Sequence, residues 1–424
     1  MALSYGAVVV GAGPAGLSAA AELSTQTRCL LVEQGLPAPA RDRDGASDVL
    51  QGAGGAGLFS DGKHSFFPSA SELWKLPDRE ALAGAYDATT ALLSRYGVEA
   101  GPMPQGREEP PAKGAWVEKH YPALYVGFDE RLACIEELWK LAYEAKASTR
   151  VVDAERAGKE IALILEQNGR REEIRTSRLV VAGGRWSPRW MRSWLEKLGV
   201  SFAFQRVEFG VRLETKATNE LFASLPGVDG KIRFVEQPEA ERRRWGSGGE
   251  APGNNARAVE IRTFCTCRNG EVVLGRSGHM AAYSGRADGA ATGRSNVGLV
   301  VRIADPAFGR DVERTLYDAP PESFPLDEWL DRGAKRLAPS FGEEGALALE
   351  RALERLLERS PGLRRGPVTV YSPCIEGVGD YPVDDGHLAV ADGVWVAGDA
   401  IGRFRGIVAS MISGRYAARR LLSP

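Results

Sequence analysis

The sequence predicts an α/β fold in which an antiparallel-sheet domain is inserted into a β–α–β domain. Three features indicate this arrangement. The first 35 residues contain short apolar runs around a glycine-rich turn, residues 393–422 contain a strand that enters a helix through glycines, and three segments between residues 202 and 303 alternate apolar and polar positions. A chain of 424 residues also exceeds one ordinary hydrophobic core, so we expect two packed domains.

The first feature is a β–α–β unit. Ala7–Val10 is a short β-branched run that predicts a strand, Ala12–Leu23 has helical spacing, and Cys29–Val32 is a second apolar run. A strand, a helix and a second strand within about 30 residues have the dimensions of such a unit. A signal peptide is disfavoured because no basic residue precedes Arg28. We therefore expect a folded domain at this end of the chain.

The turn inside this unit has the pattern G-x-G-x-x-G. Gly11 permits a tight turn, Gly13 lets the backbone approach a pyrophosphate, and Gly16 lets the helix pack against the strand. The helix N terminus would face the phosphates with its N–H groups and positive dipole end. Glu33, at the end of the second strand, is placed to accept hydrogen bonds from an adenosine ribose. The expected residues of this Rossmann-type dinucleotide site are Gly11, Gly13, Ala15, Gly16, Glu33 and Gln34.

A second glycine cluster has the same spacing in a different context. Gly52, Gly54 and Gly57 follow a polar, mixed segment, and residues 59–69 break any helical period twice. We therefore expect no second nucleotide here, and no helix after the glycines. Backbone without Cβ atoms can instead lie against the same dinucleotide. The residues expected to make this contact are Gly54, Gly55, Ala56, Gly57 and Lys63.

The C-terminal segment predicts a strand ending at Gly398 and Asp399, followed by a helix over Ile407–Leu422. In FAD enzymes of the glutathione-reductase type, a late strand ends in Gly-Asp, whose carboxylate holds the ribityl chain. The next helix in those enzymes points its N terminus at the flavin C2 carbonyl. The segment resembles that motif, which favours FAD over NAD because NAD has no ribityl chain. The expected contacts are Gly398, Asp399, Arg405, Gly406 and Ile407.

Leu179–Gly184 resembles the short strand with which such flavoproteins return to the FAD domain, with Gly183 in place of the usual threonine. Strands are expected before it at Arg150–Asp153 and Ile161–Gln167. Val152 resembles the position whose backbone usually meets the adenine. Gly183 and Val152 therefore complete the set of expected FAD-binding residues.

Between these segments the sequence predicts the inserted domain. Phe202–Leu213, Ala258–Leu274 and Asn296–Ile303 alternate as antiparallel strands do. Leu326–Leu356 has the spacing of an amphipathic helical pair, and Pro238–Ala256, with its arginines at 242–244, is expected to be a solvated loop.

These features together predict a Rossmann-type FAD-binding domain with an inserted antiparallel-sheet substrate domain. We assign residues 1–200 and 365–424 to the FAD-binding domain, with a partly helical excursion at 80–150, and residues 201–364 to the substrate domain.

With these pieces placed, nearly the whole chain resembles a group of bacterial FAD-dependent dehydrogenases. The hallmark of that group is a G-G-A-G-x-F-S-D-G-K loop, which residues 54–63 match. A later F-C-x-C-P-G-G stretch stands here at 264–270, with its proline and first glycine replaced. The resemblance implies FAD binding and redox chemistry, and it implies no particular substrate.

Cysteine usage favours a reducing compartment. The five cysteines are few, odd in number and scattered, which is unlike a disulfide framework. Cys265 and Cys267 form a C-x-C pair that an alternating strand would point to one face. This is neither the C-x-x-C of a redox disulfide nor a zinc knuckle, so we expect two structural thiols and no metal.

Charge and hydropathy limit the partners. With 54 Lys+Arg against 56 Asp+Glu, the net charge of −2 offers no basic field for nucleic acid or an anionic membrane. No long uncharged stretch could cross a bilayer. We therefore expect a cytoplasmic protein with a small-molecule substrate, no nucleic-acid or membrane partner, and an external electron donor or acceptor as a further candidate partner.

The leading functional hypothesis is an FAD-dependent oxidoreductase, either a dehydrogenase or an oxidase, that transfers a hydride between a small organic substrate and flavin N5. His64 is the candidate catalytic residue, as a proton carrier, because histidine titrates near neutrality. Lys63 and Arg405 are candidates to stabilise negative charge on reduced flavin or on a substrate carboxylate.

Two alternatives remain open. A flavin-dependent monooxygenase is suggested by residues 182–192, although Arg185 and Trp186 stand where the aspartate of aromatic hydroxylases would be. A non-catalytic, FAD-stabilised binding protein is the other alternative. No separate nicotinamide-binding domain is visible in the sequence.

Overall fold

A computed structural model of the chain describes residues 3–105, 115–225, 227–235 and 259–423. Its strands are β1 (Leu3–Tyr5), β2 (Ala7–Val10), β3 (Cys29–Val32), β4 (Lys63–Ser65), β5 (Trp116–Lys119), β6 (Ala123–Tyr125), β7 (Glu144–Lys146), β8 (Arg150–Ala157), β9 (Glu160–Gln167), β10 (Arg170–Thr176), β11 (Leu179–Val181), β12 (Phe202–Lys216), β13 (Lys231–Val235), β14 (Val259–Cys267), β15 (Glu271–Ser277), β16 (Met280–Arg286), β17 (Arg294–Ile303), β18 (Glu322–Pro325), β19 (Thr369–Pro382), β20 (Ala389–Ala391) and β21 (Val394–Val396).

The α-helices are α1 (Pro14–Leu23), α2 (Gly55–Leu58), α3 (Arg79–Ser94), α4 (Phe128–Leu141), α5 (Ser187–Lys197), α6 (Glu220–Ser224), α7 (Pro306–Leu316), α8 (Leu326–Arg332), α9 (Ala338–Arg359) and α10 (Ile407–Leu422). Short 3-10 turns occur at Ala38–Ala40, Leu73–Lys75, Gly333–Arg336, Pro361–Arg364 and Gly398–Ile401.

The chain forms two compact units. The first unit comprises Met1–Glu108, Tyr121–Ala203 and Asp380–Pro424, and the second comprises Glu109–His120 and Phe204–Gly379. From the sequence, residues 365–379 were assigned to the FAD-binding domain. They lie in the second unit because β19 is a neighbour of β12 within its sheet.

The first unit is built on a six-stranded sheet with the order β20-β21-β11-β2-β3-β7. All its pairings are parallel except that of the edge strand β20. Strands β2 and β3 are fully buried, as expected for a parallel sheet whose two faces are both covered. The bounds expected for the first two strands, Ala7–Val10 and Cys29–Val32, are confirmed, and α1 connects them.

A second sheet in the first unit has the order β1-β10-β9-β8. The hairpin of β8 and β9 confirms the strands expected at Arg150–Asp153 and Ile161–Gln167. Its register shifts between Val151 and Asp153, so Val152 lies in a β-bulge.

The second unit contains a seven-stranded sheet with the order β18-β19-β12-β17-β14-β13-β5. The pairings of β12 with β17 and of β14 with β17 are antiparallel, which confirms the predicted antiparallel sheet. Strands β15 and β16 form a separate hairpin. The helical pair expected over Leu326–Leu356 is present as α8 and α9. The predicted loop Pro238–Ala256, with Arg242–Arg244, lies outside the described residues.

These elements confirm the predicted α/β fold with a parallel and an antiparallel sheet. Within the described ranges, no helix combines the length and apolar character that a membrane crossing requires. All five cysteines are present as thiols.

Candidate functional site

The turn between β2 and α1 is tightly packed at two of its three glycines. Gly11 has φ +99°, and a Cβ there would lie 2.6 Å from the Ala182 carbonyl oxygen. A Cβ at Gly16 would lie 1.7 Å from the Gly11 carbonyl oxygen. Contacts within the protein therefore require glycine at both positions, where α1 meets the strand ends.

Gly13 differs from its two neighbours. Its backbone has φ −70° and ψ 178°, a conformation that any residue adopts. A Cβ at Gly13 would meet only the Gly55 Cα, at 3.9 Å. Neither backbone conformation nor packing within the protein requires glycine here. The missing side chain instead leaves the backbone at the start of α1 open to close approach by another molecule.

The second glycine cluster lies directly against the first. A Cβ at Gly55, whose φ is +57°, would lie 3.0 Å from the Gly13 Cα, and the Gly54 N–H donates to the Ala12 carbonyl at 2.8 Å. The expectation of no following helix is wrong in one respect, since α2 begins at Gly55 and makes one turn. No strand lies between β3 and β4, all of whose intervening residues are described. The cluster therefore remains a loop that covers the first turn.

Two helix N termini meet at this point. A Cβ at Gly57 would lie 3.5 Å from Pro14 Cγ and 3.2 Å from Ile407 Cγ1, and these residues begin α1 and α10. Neither helix has an acidic residue in its first turn or a side-chain cap. Gly406, which precedes α10, has φ +106° and therefore favours glycine. Two positive dipole ends side by side attract anionic or strongly polar acceptor groups.

Glu33 ties the two glycine turns together. The residue is 5% exposed, its Oε2 accepts from the Ala12 N–H at 2.7 Å, and its Oε1 accepts from the N–H groups of Gly35 at 2.8 Å and Gly52 at 3.2 Å. A buried carboxylate needs such donors to offset its loss of hydration. The sequence indicated only a ribose contact, whereas the structure also gives Glu33 a role in holding the backbone.

Arg41 also supports the second turn. Its Nη1 donates to the Ala53 carbonyl at 2.7 Å and its Nε to the Asp48 carbonyl at 3.1 Å, while its guanidinium lies over the Phe59 ring at 4.7 Å. Burial lowers the pKa of Arg41 to about 10, so it stays charged at neutral pH. Arg41 was not predicted as a site residue. Its neighbours in the sequence are polar, and only the folded chain buries it.

The Gly-Asp pair after β21 reaches the same region. A Cβ at Gly398, whose φ is +69°, would lie 2.9 Å from the Ala15 Cβ in the first turn of α1. The Asp399 Oδ2 accepts from Arg185 Nε at 3.2 Å and from Arg405 Nε at 3.0 Å. From the sequence, Arg405 was expected to stabilise negative charge on reduced flavin or on a substrate carboxylate. In the structure its partners include Asp399. Arg185, noted only as standing in place of an aspartate, is the second arginine on this carboxylate.

Lys63 and His64 lie in β4 and are both buried. Lys63 Nζ forms an ion pair with Asp61 Oδ2 at 2.6 Å, with side chains 5% and 7% exposed. His64 Nδ1 lies 3.1 Å from the Gly62 carbonyl oxygen. Burial, helped by the nearby Arg131 charge, lowers the pKa of His64 to about 4. The expected titration near neutrality is therefore wrong, because the charged imidazolium is poorly solvated here.

The remaining expected FAD-binding residues are Gln34 just after β3, Val152 in β8, and Gly183, which lies beside Gly11. The chain just before β8 runs beside β3, because the Ser148 N–H donates to the Gly35 carbonyl at 2.8 Å and the Thr149 N–H to the Glu33 carbonyl at 2.9 Å. Val152 and Gln34 are half-buried. A Cβ at Gly183 would lie 2.7 Å from atoms of both Ser187 and Met191. Gly183 is therefore required by the packing of α5, which the sequence did not indicate.

No family model matches the chain, and no curated protein matches it. The chain is similar to a mutant of NikD, an unusual amino acid oxidase, at 13% identity and a TM-score of 0.46, covering 99% of this chain and 94% of that protein. It is similar to a geranylgeranyl bacteriochlorophyll reductase-like protein from Thermoplasma acidophilum at 13% identity and a TM-score of 0.42, covering 99% and 78%. For AlpK the values are 15%, 0.42, 97% and 60%, so the chain spans three-fifths of that protein. Similarities of this size do not assign an activity.

Proposed function

We propose that the first unit binds FAD and that the protein is an FAD-dependent oxidoreductase. The observation that carries the proposal is Gly13, a glycine of the first turn that neither its own backbone conformation nor any contact among the described residues requires. A dinucleotide pyrophosphate that approaches this backbone gives a reason for glycine at the position. Residues 54–63, which match the loop of FAD-dependent dehydrogenases, include Gly55, which lies against Gly13. This match also supports FAD binding.

The phosphates are proposed to lie at the N terminus of α1. This helix offers backbone N–H groups and a positive dipole end, and it has no acidic residue in its first turn. The backbone of Gly54–Gly57 packs directly against the first turn at Gly55, so the diphosphate is proposed to lie beside this contact, at the N–H groups of α1. The N terminus of α10 at Ile407 supplies a second positive end for the flavin C2 carbonyl.

The adenosine is proposed to lie beside Glu33. An ionised carboxylate accepts at about four positions, and three are taken by backbone N–H groups. One position is left for a ribose hydroxyl, so Glu33 is proposed to accept one hydrogen bond from the ribose. The Ser148 N–H donates to the Gly35 carbonyl, so the chain that leads to Val152 starts beside the end of β3. The backbone at Val152, in the bulge of β8, is the proposed neighbour of the adenine.

Asp399 is proposed to receive the ribityl chain, which favours FAD over NAD. Its carboxylate is held beside the first turn of α1 through Gly398 and is charge-balanced by Arg185 and Arg405. The two arginine side chains are 29% and 20% exposed, so they remain accessible to further negative charge. Arg185 and Arg405 therefore also stabilise negative charge that develops on the cofactor.

Bound FAD supplies two-electron transfer through the flavin ring. The residues of the chain bind and orient the dinucleotide, and the two arginines provide the electrostatic environment. His64 is neutral at pH 7 because its pKa is about 4, so it donates no imidazolium proton there. The proposed substrate is a small organic molecule, the second reactant is an external electron donor or acceptor, and the five reduced cysteines fit a cytoplasmic location.

The test begins with the purified protein. We expect it to be yellow and to release FAD on heat denaturation. Release of FMN alone, or a colourless protein that also does not bind added FAD, would contradict the proposal. Stopped-flow mixing with NADH or NADPH, followed by oxygen, then measures reduction and reoxidation of the flavin. Reduction by a substrate identifies an oxidoreductase, oxygen insertion identifies a monooxygenase, and a flavin that never reacts identifies a non-catalytic binding protein.

A further inference from the structure

We propose that Cys265 and Cys267 form a redox-active dithiol that closes to an intramolecular disulfide by exchange with small disulfides. Both residues lie on β14 in the second unit. The contacts from which it is argued lie within the second unit.

A β-bulge brings the two thiols together. Residues two apart on a regular strand are separated by about 6.6 Å, twice the rise per residue. In β14, Phe264 pairs with Gly298 and Cys267 with Asn296, so two residues, Cys265 and Thr266, oppose Val297 alone. Cys265 has φ +48°, a left-handed conformation that residues other than glycine rarely adopt. The two Sγ atoms lie 3.6 Å apart, and the simple alternation expected from the sequence is therefore wrong at this point.

A buried arginine favours the thiolate that exchange requires. Arg212 is 0% exposed, its Nη2 lies 3.6 Å from Cys267 Sγ, and the same nitrogen donates to the Cys265 carbonyl at 2.7 Å. A guanidinium charge beside a thiol stabilises the thiolate, which is the nucleophile. Gly285 closes the cluster, since a Cβ there would lie 2.6 Å from Cys267 Sγ and 2.2 Å from Arg212 Nη2.

The two thiols differ in access. Cys265 is half-buried, whereas Cys267 is 0% exposed. In the first step the Cys265 thiolate attacks a disulfide RSSR, forms a mixed disulfide Cys265–S–S–R and releases RS⁻. In the second step the Cys267 thiolate attacks the Cys265 sulfur, forms the Cys265–Cys267 bond and releases a second RS⁻. The two thiol protons end on the two released thiolates, and the disulfide reagent takes up the electron pair.

Two other cysteines provide an internal contrast. Burial raises the pKa of both Cys29 and Cys134 to about 12, and their surroundings leave them protonated at neutral pH. Cys374 is the closest match to the pair, because it is also 0% exposed in the second unit and its Sγ lies 3.7 Å from Glu376 Oε1. Cys374 also interacts with the Arg212 charge, but its burial denies access to a disulfide reagent, so none of these three thiols is expected to exchange.

The experiment equilibrates the full-length protein in buffers of glutathione and glutathione disulfide at increasing ratio. Acid quenching, alkylation with N-ethylmaleimide and intact-mass measurement then count the remaining thiols. We expect two of the five thiols to be lost together in one two-electron step, with no glutathione retained. Peptide mapping should place the bond between Cys265 and Cys267. Five alkylated thiols at every ratio, or a bond to another cysteine, would overturn the proposal.

Three variants test the order of the steps. Cys267→Ser should retain one glutathione on Cys265, because the resolving thiol is absent, and Cys265→Ser should retain none. Cys374→Ser, the matched control, should form the disulfide as the wild type does. Retention of glutathione by Cys265→Ser but not by Cys267→Ser would overturn the assigned roles. The flavin absorbance of the same samples is recorded separately, so a failure to bind FAD is not confused with a failure of the dithiol.

Discussion

The two glycine clusters share one spacing and have different surroundings. The cluster at Gly11–Gly16 follows a buried strand and opens a helix of 10 residues, whereas the cluster at Gly52–Gly57 follows turns and opens a helix of 4 residues. The first turn is packed against the strand ends, and the second is packed against the first at Gly13 and Gly55. Glycine spacing alone therefore indicates that another group lies close to the backbone. The strands and helices that flank the glycines determine which group that is.

The largest effect should come from Gly16→Ala in the first cluster. The new methyl group would lie 1.7 Å from the Gly11 carbonyl oxygen, and neither backbone segment can retreat without separating α1 from β2. We expect the free energy of unfolding to fall by about 3 kcal/mol, as for strong overpacking of a core. Urea unfolding of the FAD-free protein measures it. An unchanged urea midpoint would show that the turn is more adaptable than its packing indicates.

The next effect should come from Gly55→Val in the second cluster. Its side chain would start 3.0 Å from the Gly13 Cα, where the backbone is proposed to meet FAD. We expect FAD affinity to fall by about two orders of magnitude, together with most of the thermal stabilisation that FAD confers. Fluorescence titration and melting with and without FAD measure both.

Gly158→Val is the matched control for Gly55→Val, because Gly158 also has positive φ, at +68°, and has no atom within 4 Å of its Cβ position. It should show the backbone strain without the loss of FAD. Wild type should bind one adenine dinucleotide per chain. If it bound FAD and NAD(P)H together, and Gly55→Val removed only the second, the second cluster would be a separate nucleotide site.

Gly13→Ala should separate ligand binding from folding. Its nearest neighbour would be 3.9 Å away and its φ of −70° suits alanine, so the FAD-free protein should unfold as the wild type does. FAD affinity should fall by about tenfold or more, because the methyl group would fill space beside the backbone that the pyrophosphate is proposed to approach. Equilibrium titration and urea unfolding are compared on the same preparation. Unchanged FAD affinity would remove the observation on which the proposed function depends.

Glu33→Gln should lower the affinity for FAD by about tenfold, because one charge-assisted hydrogen bond to the ribose is lost. Because the carboxylate also accepts from Ala12, Gly35 and Gly52, Glu33→Ala should reduce stability even without FAD. We therefore expect a lower melting temperature for the FAD-free Glu33→Ala protein. A Glu33→Gln protein with wild-type affinity would show that the ribose is held elsewhere.

The smallest effect is a pH dependence from His64, which follows the second cluster. Its folded pKa of about 4 lies below the ordinary 6.5, so the unfolded chain binds more protons between these values and stability falls as the pH drops through this window. Between pH 7.5 and pH 6 the loss should be about 1 kcal/mol. His64→Gln should flatten this dependence, whereas His279→Gln, at a 68% exposed side chain, should not. Equal slopes for both variants would contradict the assignment.

Much of the framework followed from local pattern. The strands Ala7–Val10 and Cys29–Val32 and the helix Ile407–Leu422 have the expected bounds, because hydrophobic period and glycine placement act over a few residues. The place of Gly11, Gly16 and Glu33 relative to these elements follows from spacing along the chain.

The remaining features depend on residues that are far apart in the sequence. Gly57 lies between Pro14 and Ile407, and Asp399 lies between Arg185 and Arg405, only because the parallel sheet brings its strand ends to one edge. Burial decides that His64 is neutral at pH 7, and pairing with β17 decides that β14 bulges at Cys265. Periodicity reports which residues share a face, whereas approach distance, solvation and register arise from contacts between distant segments.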